Sequence, residues 1–191
     1  MAGERTIEQF ASPGEFQAWL AANHATSNGI WLRIAKKSVA VPTVTYDEAL
    51  QIALTFGWID GQKRPQDARF WLQGFTRRGA RSVWSKRNCE KAQALIDAGL
   101  MEPSGLVEVD RAKADGRWAN AYDGQRGAQE PPDWIAALAA KPAALQFYGT
   151  LNSANRYAIL YRIQDAKRTE TRAARIAKFT EMLERGEKLY A

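Results

Sequence analysis

The sequence predicts an α+β fold: a small antiparallel sheet packed with helices, followed by a helical C-terminal extension. Three observations predict it. GIWLRIAKK (29–37) sets Ile30, Leu32 and Ile34 on one side and Trp31, Arg33 and Ala35 on the other, the period of a half-buried strand. WIDGQKR (58–64) and RFWLQGF (69–75) flank the turn-forming PQDA (65–68), the pattern of an antiparallel hairpin. Beyond residue 132 the apolar residues keep helical spacing.

The elements follow in order. Ser12-Pro13-Gly14-Glu15 has capping-box form, with proline at the first helical position, and opens a helix whose buried face is Phe16, Trp19 and Leu20. A polar stretch, Asn23 to Gly29, ends it and leads into the strand of 29–37. Thr45-Tyr46-Asp47-Glu48 is a second capping box, and Leu50, Ala53, Leu54 and Phe56 form the stripe of the helix behind it. Gly57 stops that helix, because glycine takes the left-handed C′ conformation without a Cβ penalty. After the hairpin, Ser85 reads as the N-cap of KRNCEKAQALIDAG, closed by Gly99. Leu106 to Trp118 reads as helix or helical turn. YDGQRGAQEPP (122–132), rich in Gly, Pro and polar residues, is the linker, giving an α+β domain over 1–125 and a helical extension packed on it over 126–191. Helices are expected from PDWIAALAAKP, from Pro142, from Ala158 to Lys167, and over 169–186. In the last of these, Ile176, Phe179, Met182 and Leu183 share a face.

Composition excludes several classes. The longest apolar run, WIAALAA (134–140), is far short of the roughly 20 residues of a membrane span. The start, MAGERTIEQF, carries Glu4 and Glu8 and no apolar h-region, so no secretory signal is expected and the cytoplasm is the expected compartment. One cysteine, Cys89, forbids an internal disulfide. His24 is the sole histidine and reads as a surface or capping residue, so no metal site is assigned. No nucleophile elbow, phosphate-cradling glycine loop or zinc-binding helix motif is present, and no catalytic residue or cofactor is assigned.

Charge is lopsided within a net +6. Residues 63–91 hold nine Lys or Arg against Asp67 and Glu90, and residues 156–178 hold seven against Asp165 and Glu170, so the rest of the chain is acidic. The stretch GARSVWSKRN (79–88) gathers cations at a helix start, where the dipole repels them. They ask for a compensating negative group, either internal or an external anion such as phosphate. Cys89, within a turn of the same helix start, is either an activated thiol or a small buried residue. Asp60, in FGWIDGQK, reads as a salt-bridge or turn residue, with a base in a pocket walled by Trp58 as the alternative, for which no partner acid is evident.

FGWIDG (56–61), RFWLQGFTRRGARSVWSKRN (69–88), GLMEPSG (99–105), AKADGRW (112–118) and AKRTETRAARI (166–176) stand in order along the chain. On these blocks the chain resembles the bacterial YdeI/OmpD-associated (bacteriocin-protection, OmdA-like) family from about Phe10 to Gly186. It departs from the family pattern at Phe75-Thr76-Arg77-Arg78, where a proline is usual. The resemblance implies a YjbR/CyaY-like N-terminal part and a role in stress or bacteriocin resistance, with no enzymatic activity or cofactor attached.

The expected function is therefore non-catalytic binding of a small phosphate-like anion or nucleotide at the basic helix start. Arg77, Arg81, Ser82, Ser85, Lys86 and Asn88 are expected to hold the anion. Trp58 and Trp84 would wall the pocket, Asp60 would orient cations such as Lys63, and Arg172 and Arg175 would close one side. Two alternatives stay open: a nucleic-acid binder, and a protein–protein interaction module linked to envelope stress.

Overall fold

The computed structural model describes residues 5–124 and 127–190. Glu4 in the acidic start and the expected domain boundary at 125–126 lie outside them. The chain divides into two compact units. One contains the residues up to Trp84 together with Asn88–Asn120, and the other Ser85–Arg87 together with the residues from Ala121 onward.

The first unit is built on a sheet of β1 (Ile7–Glu8), β2 (Ile30–Ala35), β3 (Trp58–Pro65) and β4 (Phe70–Arg77), in the order β1-β2-β4-β3. β1 pairs parallel to β2, and β2 and β3 flank β4 antiparallel. The hairpin is in register from Trp58 opposite Arg77 to Pro65 opposite Trp71, with an irregularity between Asp60 and Lys63. Pro65 ends its strand, where a missing amide costs the ladder least.

α1 (Pro13–Asn23) starts at Ser12, whose hydroxyl accepts from the Glu15 amide; the Glu15 carboxylate bonds the Ala11 amide rather than that of Ser12. α2 (Tyr46–Thr55) has the full reciprocal box between Thr45 and Glu48. Ile30, Leu32, Ile34 and Phe75 from one sheet face close on Phe16 and Leu20 of α1 and Ala49 and Ala53 of α2, and this is the core of the unit. α3 (Lys86–Asp97) is followed by Gly99 at φ +68°, and α4 (Pro103–Ala114) starts with proline.

The second unit is helical: α5 (Pro132–Ala139), α6 (Pro142–Thr150), α7 (Ser153–Gln164) and α8 (Thr169–Glu184). Trp134, Leu138, Tyr148, Ile159, Ile163, Phe179, Met182 and Leu183 form its core. α7 begins five residues before the expected Ala158, because the Asn152 side chain accepts from the Asn155 amide and caps it. Ser85 bridges to Tyr122 in this unit, and the Lys86 amide donates to the Tyr122 carbonyl. Among the described residues no helix is long and apolar enough to cross a membrane.

Candidate functional site

Within the first unit, several elements end around one cavity of about 580 Å³. α2 stops at Phe56, and Gly57 follows at φ +74°. The last carbonyls of α2 are then met by the start of α4: the Glu102 amide donates to Thr55 O, and the Ser104 hydroxyl to Phe56 O. A Cβ at Gly57 would lie 2.8 Å from Ser104 O and 3.1 Å from the Glu108 side chain, so glycine is needed for both its φ and its space. α1 ends at His24, whose carbonyl accepts from the Trp58 indole. β4 ends at Arg77, and the Arg78 amide donates to Gly57 O.

The walls follow from these ends. His24, Ala25 and Asn28 come from beyond α1, Phe56 and Gly57 from the end of α2, and Arg77, Arg78 and Gly79 from the end of β4. Ser104, Val107 and Glu108, at i, i+3 and i+4, present one face of the first turns of α4. Arg77 is exposed, and its Nη1 donates to Ala25 O at 3.0 Å. A guanidinium has five N–H donors, so most of them remain for a ligand. Among the described residues no carboxylate lies within 4 Å of it. Arg78 is only 6 % exposed; its guanidinium lies 3.5 Å from the Trp84 ring centroid and donates to Val83 O. His24 Nδ1 donates to Leu20 O at 3.0 Å. Glu108 accepts from Arg111 through Oε1, while its buried Oε2 has no hydrogen-bond partner among the described residues. The cavity thus joins two guanidiniums to one carboxylate.

The expected site residues divide between the two units. Trp58 is fully buried in the core, edge-on to Trp19, and Trp84 is 2 % exposed beneath Arg78 and against Trp118. Asp60 accepts from the Tyr46 hydroxyl at 2.8 Å, and among the described residues no cation pairs with it. Lys63 Nζ lies 4.4 Å from the Trp71 ring centroid. Arg81 is exposed, Ser82 Oγ accepts from the Gly79 amide, and Asn88 is buried. In the second unit, Ser85 is buried and Lys86 pairs with Asp123 at 2.6 Å, an internal acid. Arg172 grips Asp133 with two nitrogens at 2.6 and 2.8 Å, and Arg175 donates to Arg162 O and faces Asp165. The bond from Arg172 holds the Asp133 carboxyl below the usual range. Of the expected residues, Arg77 alone lines the cavity. Sequence reasoning missed Ser104 and Glu108, whose only signal was their place in the first turns of a proline-started helix.

Cys89 is a buried residue. Burial pushes its thiol up to about 11 from 9.0. The thiolate is therefore much scarcer at pH 8 than in the unfolded chain. Native protein is expected to react with iodoacetamide more than about tenfold more slowly than urea-unfolded protein, and equal rates would refute the burial. The folded pKa is raised, so the neutral thiol adds stability that is fully present below pH 9 and is lost as pH rises through about 11. Among the described residues no group of three or more His, Cys, Asp or Glu is placed to hold a metal ion.

A family model described as a domain of unknown function, DUF8412, matches residues 8–108, more than half of the chain. The chain belongs to this family. A second model, described as "Bacteriocin-protection, YdeI or OmpD-Associated", matches residues 128–186. The expected family thus holds for the C-terminal part. The expected YjbR/CyaY-like relation of the N-terminal part is corrected: residues 8–108 match DUF8412 instead. The strand–helix–hairpin order behind that expectation is shared by unrelated α+β proteins and names no single family. The cavity of the first unit is walled by residues of the DUF8412 match. No curated protein and no solved structure matches the chain.

Proposed function

We propose that this chain is a non-catalytic binding protein that takes a small phosphate-bearing ligand in the cavity of its first unit. The observation that carries this reading is the meeting of Arg77 and Arg78 in the wall of a space of about 580 Å³, within the size range of small-molecule sites. Arg77 has most of the donors of its planar guanidinium left for bidentate contact with a phosphate, and Arg78 is fixed by its indole stack. A nucleotide suits the cavity better than bare phosphate. Its base and ribose can cover the Phe56 and Val107 side of the wall and meet Ser104, while inorganic phosphate meets only the arginines. The match of residues 128–186 to a bacteriocin-protection model supports placing this binding role in resistance to bacteriocins.

The test is thermal unfolding at low salt with phosphate, pyrophosphate and nucleoside mono-, di- and triphosphates. A ligand at about 100 times its Kd adds roughly 2.7 kcal/mol, which is about 5–10 °C in a chain of this size. The rise is expected with nucleotides, and Arg77→Gln abolishes it while Lys86→Gln retains it. A flat panel, or a rise lost in Lys86→Gln and kept in Arg77→Gln, overturns the cavity as the site.

A further inference from the structure

The two faces of the sheet differ. Ile30, Leu32, Ile34 and Phe75 meet α1 and α2, whereas the alternate residues point to the other face. There Trp31 lies opposite Gly74, Arg33 opposite Leu72, and Ala35 opposite Phe70, while Arg64 on β3 lies opposite the same Leu72. Arginines lie over both aromatic rings. The Arg64 and Arg5 guanidinium carbons are 4.2 and 5.8 Å from the Trp31 ring centroid, and those of Arg69 and Arg33 are 5.4 and 5.5 Å from that of Phe70. Arg64 and Arg69 are exposed. Among the described residues, none of these four guanidiniums has a carboxylate within 4 Å. The nearby Asp67 carboxylate is committed to the backbone amides of Phe70 and Arg69.

We infer that this face is a binding platform for single-stranded nucleic acid. Arg33 donates to Gln66 Oε1 at 3.1 Å. Four cations on one face with no carboxylate within 4 Å ask for a polyanion, and a single strand supplies phosphates at regular intervals. The rings hold the guanidiniums over the sheet, and bases stack on guanidinium planes as they do on aromatic side chains. An acidic peptide meets the charges but has no flat π surface to place on those stacks. Duplex DNA fits less well, because its bases are stacked inside the helix and present no free face to the guanidinium planes. Gly74 lets the Trp31 ring and Arg5 pack closely on the sheet, since a Cβ there would lie 3.3 Å from the ring and 3.4 Å from Arg5; the surface offered to a ligand is therefore the exposed guanidiniums of Arg64 and Arg69. The platform shares no residue with the cavity that holds Arg77, so either stands without the other.

Fluorescence anisotropy of labelled oligo(dT) of about 12 nucleotides tests it. The wild-type chain is expected to bind at ~50 mM salt with an affinity that falls linearly in log–log form as salt rises. Arg64→Gln with Arg69→Gln, both exposed, weakens binding at least tenfold and lowers the salt slope by about 1.4, at roughly 0.7 per phosphate. The charge-matched pair Arg168→Gln with Lys178→Gln, exposed in the second unit, leaves affinity within about twofold. No binding by the wild-type chain, equal losses in the two double variants, or displacement of the oligonucleotide by polyglutamate as effectively as by unlabelled oligo(dT) overturns the inference.

Discussion

Gly105→Ala is expected to destabilise the first unit by about 3 kcal/mol, although alanine is the better helix former. Gly105 lies in the first turn of α4, where the chain passes the end of α2. A Cβ built there would lie 2.2 Å from Thr55 O, 2.7 Å from Met101 Cε and 3.0 Å from Leu54 O. Two of these atoms are backbone carbonyls at a helix end, and Thr55 O is held by the Glu102 amide, so neither yields cheaply. The helix-propensity gain of roughly 1 kcal/mol offsets only part of the clash. Urea unfolding followed by circular dichroism reads the loss, with a midpoint fall of about 6–12 °C in the matching thermal experiment. Gly149→Ala is the contrast. It lies in α6 with nothing within 4 Å of the added carbon, and is expected to stabilise by about 0.5–1 kcal/mol. A Gly105→Ala protein as stable as wild type means that α4 does not pass the α2 terminus so closely. Because Ser104 and Glu108 belong to the same turns, the variant is also expected to lose ligand stabilisation.

Trp58→Ala is expected to cost about 3–5 kcal/mol, the range for emptying a fully buried aromatic site. That is a large part of the whole stability of an ordinary domain. The indole is 0 % exposed and fills the space between Trp19 and the sheet. Its Nε1 donates to His24 O at 3.2 Å and so ties β3 to the end of α1. Trp58→Phe keeps most of the volume and removes the donor, for an expected loss of about 1–2 kcal/mol. Trp58→Phe separates a core role from a binding role. If the indole serves packing, nucleotide affinity at 25 °C stays within a few-fold of wild type. A loss of affinity well beyond the loss of stability returns Trp58 to the wall of the site.

What the sequence made legible was local. Thr45 and Glu48 cap α2 reciprocally because both halves of the device lie within four residues. The hairpin was legible because its register is set by the turn that joins its strands. β1 was not, since two residues carry no period and its partner strand lies more than twenty positions away. The cations show the same divide. Lys86 and Arg172 were read as free for a ligand, yet Asp123 and Asp133 meet them from 37 and 39 positions away. Spacing along the chain is silent on such pairings. The cavity was hidden for a related reason. It is made where α1, α2 and β4 stop and α4 starts, and no single segment carries its signature.

The most direct test of the central claim is an amide N–H spectrum of nitrogen-labelled protein titrated with a nucleoside diphosphate at low salt. Binding in the cavity is expected to shift Gly57, Arg77, Arg78, Gly79 and Val107 in proportion to occupancy, with Arg77→Gln removing the shifts. Shifts that avoid these five amides, or that persist unchanged in Arg77→Gln, contradict it.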